Sequence, residues 1–116
     1  MQVHVELSQI AAQLADRPGL AMAYDTHYDA GNYELYWWQG NTRHAIDLQP
    51  YPDGTLEVRR RWTHFPWPGR LIHWARSEIP MFPALGVTDS RTLGSLSGPY
   101  SAFQVAALVH PALPPN

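Results

Sequence analysis

The sequence of 116 residues contains no cysteine. That removes disulfide bonds, zinc–thiolate sites and cysteine nucleophiles together, and it leaves the redox compartment open. Lysine is absent as well, so all eight cations are arginines. With a formal net charge of −2 and no lysine, a general binder of the phosphate backbone is disfavoured, and no nucleic-acid partner is expected. No run approaches the roughly 20 apolar residues that span a bilayer. The segment Met1-Gln2-Val3-His4-Val5-Glu6 has neither the basic region nor the apolar run of a secretory signal. A cytosolic chain with no membrane partner is the expectation. Catalytic signatures are missing too: there is no His-Glu-x-x-His, Gly-x-Ser-x-Gly, phosphate loop or dinucleotide fingerprint. The six histidines form no metal pattern, so neither metal nor cofactor is expected. His44 and Asp47 would point to opposite faces of a strand and cannot act as one catalytic unit.

What is present suits one small soluble domain. An apolar fraction of 45% is ordinary for a folded chain of this length. Residues 1–110 are expected to form a single globular domain, with 111–116 as a loose tail. Charge is unevenly divided. Residues 1–58 hold eight of the ten acids and two arginines, whereas residues 59–116 hold six arginines and two acids. The plainer reading is that the halves neutralise each other in the fold. The sharper one is an acidic face for a basic partner.

Val3, Leu7, Ile10 and Leu14 recur at helical spacing and predict a helix over about residues 5–16, ended by Pro18-Gly19. The period then changes to two. Leu20, Met22, Tyr24, Thr26 and Tyr28 alternate with small or polar residues, followed by Tyr33, Leu35 and Trp37, then His44, Ile46 and Leu48, then Leu56, Val58, Arg60 and Trp62. Turn clusters rich in glycine, asparagine and proline separate these runs, which reads as an antiparallel meander. Residues 70–78 fit either element: Leu71, Trp74 and Glu78 have helical spacing, Ile72 and Trp74 alternate, and the aromatic, β-branched middle tips the reading towards strand. From Pro80 to Pro99 the chain reads as loop. Residues 100–109 fit a short helix, with Ser101 as its cap, or a closing strand.

Tight turns allow the pairing to be written down. A turn at Ala30-Gly31 pairs Asp29 with Asn32, one at Gly40-Asn41 pairs Gln39 with Thr42, and the proline-containing loop after Gln49 pairs Gln49 with Thr55. These choices, made from turn chemistry, put every alternating apolar set on one face. The inner rows become Tyr28–Tyr33–Leu48–Leu56, Thr26–Leu35–Ile46–Val58 and Tyr24–Trp37–His44–Arg60. The expected fold is therefore α+β, an N-terminal helix packed on a four- to five-stranded antiparallel meander with a short C-terminal helix or strand. The layout is similar to the general plan of cystatin-like folds, a likeness of architecture without any motif of that family.

Two constellations follow. On the inner face, Tyr24, Trp37, His44 and Arg60 suggest a pocket at one end of the sheet, with Arg60 holding an anionic group between aromatic walls. The plainer alternative has Arg60 stacked on Trp37 or Trp62 with its head in water. On the outer face, His27, Glu34, Asp47 and Glu57 fall in one row. Like charges directly opposite disfavour a sheet, so either a slip of two residues separates them, or arginines such as Arg43 and Arg59 neutralise them, or the row has a function. Arg59-Arg60-Arg61 alternates faces and presents no continuous basic patch.

Three classes of function remain. The first is a non-enzymatic protein-binding domain of a bacterial type (immunity protein, inhibitor or adaptor) that uses the acidic row against a basic partner. The second is a small anionic-ligand binder, or more weakly an enzyme, at the Tyr24/Trp37/His44/Arg60 end. The third is a homodimerising structural module with Tyr36 and Trp38 in its interface.

Overall fold

The computed structural model describes residues 3–25, 31–66, 68–81 and 86–114. The order of elements is α1 (Val3–Ala15), β1 (Ala21–Asp25), β2 (Asn32–Gln39), β3 (Thr42–Pro50), β4 (Leu56–His64), α2 (Gly69–Glu78), β5 (Val87–Leu96) and α3 (Ala102–Val109), closed by a 3-10 turn over His110–Ala112. The strands form one antiparallel sheet in the order β1-β2-β3-β4-β5. An α+β domain with an antiparallel meander is what the alternation and turns predict.

α1 and α3 cover the inner face. Leu7, Ala11 and Leu14 of α1 and Val105 and Val109 of α3 meet Leu35, Ile46, Leu48, Leu56 and Val58 of the sheet in one core cluster. α3 starts at Ser101, whose hydroxyl accepts from the Gln104 amide at 3.2 Å, while Gln104 Oε1 accepts from the Ser101 amide at 2.8 Å. Of the two options at 100–109 the helix is correct, and the capping pair satisfies two otherwise orphaned donors. α3 approaches β5 closely because Gly94 has no side chain; a Cβ there would lie 2.8 Å from Leu108 Cδ2.

Pairing between β2 and β3 is the expected one, with Gln39 opposite Thr42 and Tyr33 opposite Leu48. The other two registers differ. β3 and β4 pair Gln49 with Glu57 and Leu48 with Val58, two residues from the expected Gln49–Thr55. The cause is local: Asp53 Oδ1 accepts from both the amide (3.0 Å) and the hydroxyl (2.7 Å) of Thr55, which holds Thr55 in the loop and starts the ladder at Leu56. β1 and β2 pair Tyr24 with Tyr33 and Asp25 with Asn32, four residues from the expected register. Here the chain makes a longer connection, and Tyr24 packs over Gly31, where φ is +83° and a Cβ would come within 2.7 Å of the Tyr24 ring. The expected positions of Thr26, His27 and Tyr28 lie outside the described residues. Both slips are even, so each strand keeps the same residues on the helix-covered side while its partners change, although on the edge strand β1 Met22 and Tyr24 are 40% and 48% exposed.

Three further expectations need correction. Residues 70–78 are helical rather than extended. The buried positions of α2 are Gly69, Ile72 and Ala75, whereas Leu71 and Trp74 are 59% and 54% exposed. The helical period was present, but the apolar residues that carried it form the solvent face. β5 occupies part of the expected loop; its seven residues nearest Val87 are mostly polar and exposed, so no alternation marks it. Residues 111–114 are not a loose tail. Ala112 is buried, Leu113 packs against the core, and Pro114 O accepts from Arg17 Nη2 at 2.5 Å.

Truncating Ile46 to alanine is expected to cost about 2–5 kcal/mol, because removing the fully buried side chain leaves a cavity in the core. Leu71→Ala on the exposed side of α2 should cost no more than about 0.5 kcal/mol. Urea midpoints of the two variants against the parent check both values.

Candidate functional site

The register change on β4 decides the electrostatics of the outer face. Glu34 stands opposite Asp47 as expected, but Asp47 now faces Arg59 and not Glu57, and Arg61 faces Ala45 one pleat along. Arg61 donates from Nε to Asp47 Oδ2 at 2.7 Å and from Nη2 to Asp47 Oδ1 at 3.0 Å, and the same Nη2 reaches Glu34 Oε2. Arg43 Nη2 takes the other Glu34 oxygen at 2.6 Å, and its guanidinium lies 4.5 Å from the centre of the Tyr36 ring. Asn32 Nδ2 adds a long bond of 3.4 Å to Asp47. Asp47 is only 8% exposed. The expected row of His27, Glu34, Asp47 and Glu57 is therefore not assembled as a row. Glu57 sits opposite Gln49, bonded to Tyr51 Oη at 3.0 Å and paired with Arg59 at 3.4 Å, and His27 lies outside the described residues.

Burial raises the pKa of Glu34, but the hydrogen bonds and charges of Arg43 and Arg61 outweigh it and hold the carboxyl below the ordinary glutamate value. Arg61 is held still more firmly in its charged form, mainly by its hydrogen bonds to Asp47. Its bonds use Nε and Nη2. The Nη1 hydrogens of Arg61 have no hydrogen-bond partner among the described residues.

On the inner face the candidate set is brought together in part. Trp37 stacks on His44 with ring centres 5.2 Å apart and planes at 5°, His44 Nδ1 lies 3.2 Å from Arg60 Nη2, and the Arg60 guanidinium sits 5.1 Å from the centre of Trp62. Tyr24 is elsewhere, 4.7 Å from Tyr33, as the shifted β1 register requires. The result is a stacked ladder across the sheet, with Arg60 occupied by Trp62 and His44. Burial, helped by the charge of Arg60 and by His64, lowers the pKa of His44. The stacking of the plainer alternative is present, with Arg60 on Trp62, but the head it placed in water lies against His44.

A cleft of about 310 Å³ opens instead on the other face, between α2 and the ends of β3, β4 and β5. Arg43 and Arg61 form its floor with Thr63 and Thr88, whose hydroxyls are 2.9 Å apart. Phe65, His73, Arg76 and Ser77 form the wall. The wall exists because α2 is anchored at two points. Gly69 N donates to Asn41 Oδ1 at 3.0 Å, and Trp38 lies 5.7 Å from both Phe65 and His73. Trp38 and Tyr36, expected at a dimer interface, are thus engaged within the chain by α2 and Arg43. No carboxylate lines the cleft. Burial and the charges of Arg43 and Arg76 lower the pKa of His73 against an opposing effect of Glu34.

Among the described residues no three of histidine, aspartate and glutamate gather as metal ligands, and no helix is long and apolar enough to cross a membrane. No protein-family model, curated protein or solved structure matches the chain. Sequence reasoning missed Arg61, His73, Arg76 and the two threonines. The parity of Arg43, Arg59 and Arg61 with Asp47 was the signal that placed guanidiniums on the acidic face.

Replacing Arg61 by alanine leaves the largely buried Asp47 with only the long Asn32 bond, while Glu34 keeps Arg43, and is expected to cost about 3 kcal/mol. Arg59→Ala, which loses only a long and largely exposed pair, should cost less than about 1 kcal/mol. Stability should also fall on acidification in two stages. Below the ordinary histidine value of 6.5 the unfolded chain takes up protons that His44 and His73 resist when folded. Below the ordinary glutamate value of 4.5 the contribution of Glu34 is lost as pH drops through its depressed folded value. Urea midpoints measured from pH 8 downward, about one unit at a time, resolve the two stages.

Proposed function

We propose that this domain binds a small anionic molecule, one bearing a phosphate or paired carboxylates, in the cleft between α2 and the outer face of the sheet. The observation that carries this is the lining: three guanidiniums, an imidazole and three hydroxyls, with no carboxylate among them. Guanidinium forks match phosphate and carboxylate geometry through two parallel bonds. Two of the three arginines are already oriented by Glu34 and Asp47, so little side-chain entropy is lost when a ligand arrives. The volume lies at the lower end of the range for small-molecule sites, about 300–1,000 Å³, which favours a compact ligand with an apolar part against Phe65.

This keeps the anionic-ligand class expected from the sequence but moves it from the inner ladder to the opposite face. An acidic docking surface for a basic protein has less support, because Glu34 and Asp47 are occupied by arginines and Asp47 is buried. The reading is of binding, since the Ser77 hydroxyl, one turn from His73, is engaged by the His73 backbone carbonyl at 3.0 Å. The scaffold, a helix-backed meander similar in layout to cystatin-like folds, does not bear on the choice.

The test is isothermal titration with inorganic phosphate and with citrate, on the parent and on Arg76→Ala. Arg76 is exposed on α2, at the rim of the cleft, 5.8 Å from the Phe65 ring. Losing one charged donor should weaken binding by about tenfold or more without loss of the fold. Equal affinity in the two proteins, or no binding by the parent, sinks the proposal.

A further inference from the structure

β5 is an edge strand of ten residues, Val87–Leu96, and it contains neither proline nor lysine. Such an edge is a template for pairing unless it is short, charged with lysine, kinked or covered. At its end nearer Leu96 β5 is bulged at Leu93 and covered: Leu108 of α3 lies over Gly94, and Leu93 and Leu96 pack on the core. Residues 87–92 are all exposed, and no strand pairs with the outer edge of β5 among the described residues.

The charges on this segment are poorly matched within the chain. Arg91 stands directly opposite Arg60 on the inner face, and Asp89 stands opposite Trp62. Neither Asp89 nor Arg91 forms an ion pair among the described residues. Like charges facing each other disfavour a sheet, and an acid on the free side of Arg91 would offset the Arg60–Arg91 contact.

We infer that β5 pairs antiparallel with β5 of a second copy of this chain, about a two-fold axis through Ser90. Residues opposite one another in an antiparallel pair share a face, so the axis must pass through a residue and not between two. An axis through Asp89 sets acid against acid, and one through Arg91 sets cation against cation. The axis through Ser90 sets Asp89 of each copy opposite Arg91 of the other and Thr88 opposite Thr92, and it is isologous, as a closed dimer requires. It joins the two sheets into one of ten strands and leaves the cleft beside α2 on the outer face of each copy. The pairing goes beyond the anion-binding reading and does not depend on it.

Because the chain has no cysteine, single-cysteine variants give an unambiguous test. Across an antiparallel pair, opposite Cα atoms lie about 4.5–5.5 Å apart, within disulfide reach. Ser90→Cys should therefore oxidise to a covalent dimer, whereas Thr88→Cys, equally exposed and opposite Thr92, should lag at least about tenfold in rate. Sedimentation equilibrium supplies the second arm. The parent should show a monomer–dimer equilibrium, Asp89→Arg should weaken it about tenfold, and the exchange Asp89→Arg with Arg91→Asp should restore it. A parent that stays monomeric at its solubility limit overturns the inference. So does equal cross-linking of the two cysteine variants, or a dimer indifferent to Asp89→Arg.

Discussion

The fork of Arg61 over Asp47 and Glu34 is the interaction on which the outer half of the molecule depends. Two carboxylates face each other across β2 and β3, a pairing that opposes sheet formation unless cations are placed among them. Arg61 and Arg43 supply those cations, and the neutralised surface can then accept a third layer. α2 lies on that layer, held by Trp38, Phe65 and the Asn41–Gly69 bond. The same guanidiniums that quench the acids leave donors pointing away from them, so one lattice both permits the docking of α2 and makes the space beneath it receptive to anions.

Even-numbered slips explain why the core was legible in the sequence and the site was not. A side-chain period of two protects the face of a strand against any shift of two or four residues. Leu35, Ile46, Leu48 and Val58 were accordingly placed inside despite two incorrect registers. Cross-strand partners have no such protection. One Asx turn at Asp53 moved Arg59 to the position expected for Glu57, and the acidic row became an ion-paired lattice. Tyr24 left the inner ladder for a similar reason, its ring covering Gly31 where a tight turn was expected.

The missed elements share another cause. α2 keeps Ile72 and Ala75 inward but exposes Leu71 and Trp74, so its helical period could be read while its orientation could not. β5 shows too few apolar residues for alternation because most of it is unburied edge. His73 and Arg76 reach the cleft only through the placement of α2 against Trp38, a tertiary fact with no local signature. Ser101, by contrast, was readable as a cap although helix and strand both stayed open, and Gln104 completes the capping pair within four residues.

Arginine is used differently on the two faces. On the inner face Arg60 is enclosed by Trp62 and His44; on the outer face Arg43, Arg61 and Arg76 converge on a cleft. Each face also carries a histidine of depressed pKa, so each reports on its own surroundings. A histidine-resolved NMR titration with inorganic phosphate therefore tests the central claim most directly. A bound anion beside His73 should raise its pKa towards or above the ordinary value of 6.5, while His44, beyond the sheet, should be unmoved. A phosphate-dependent shift at His44 with none at His73 would contradict the assignment of the cleft.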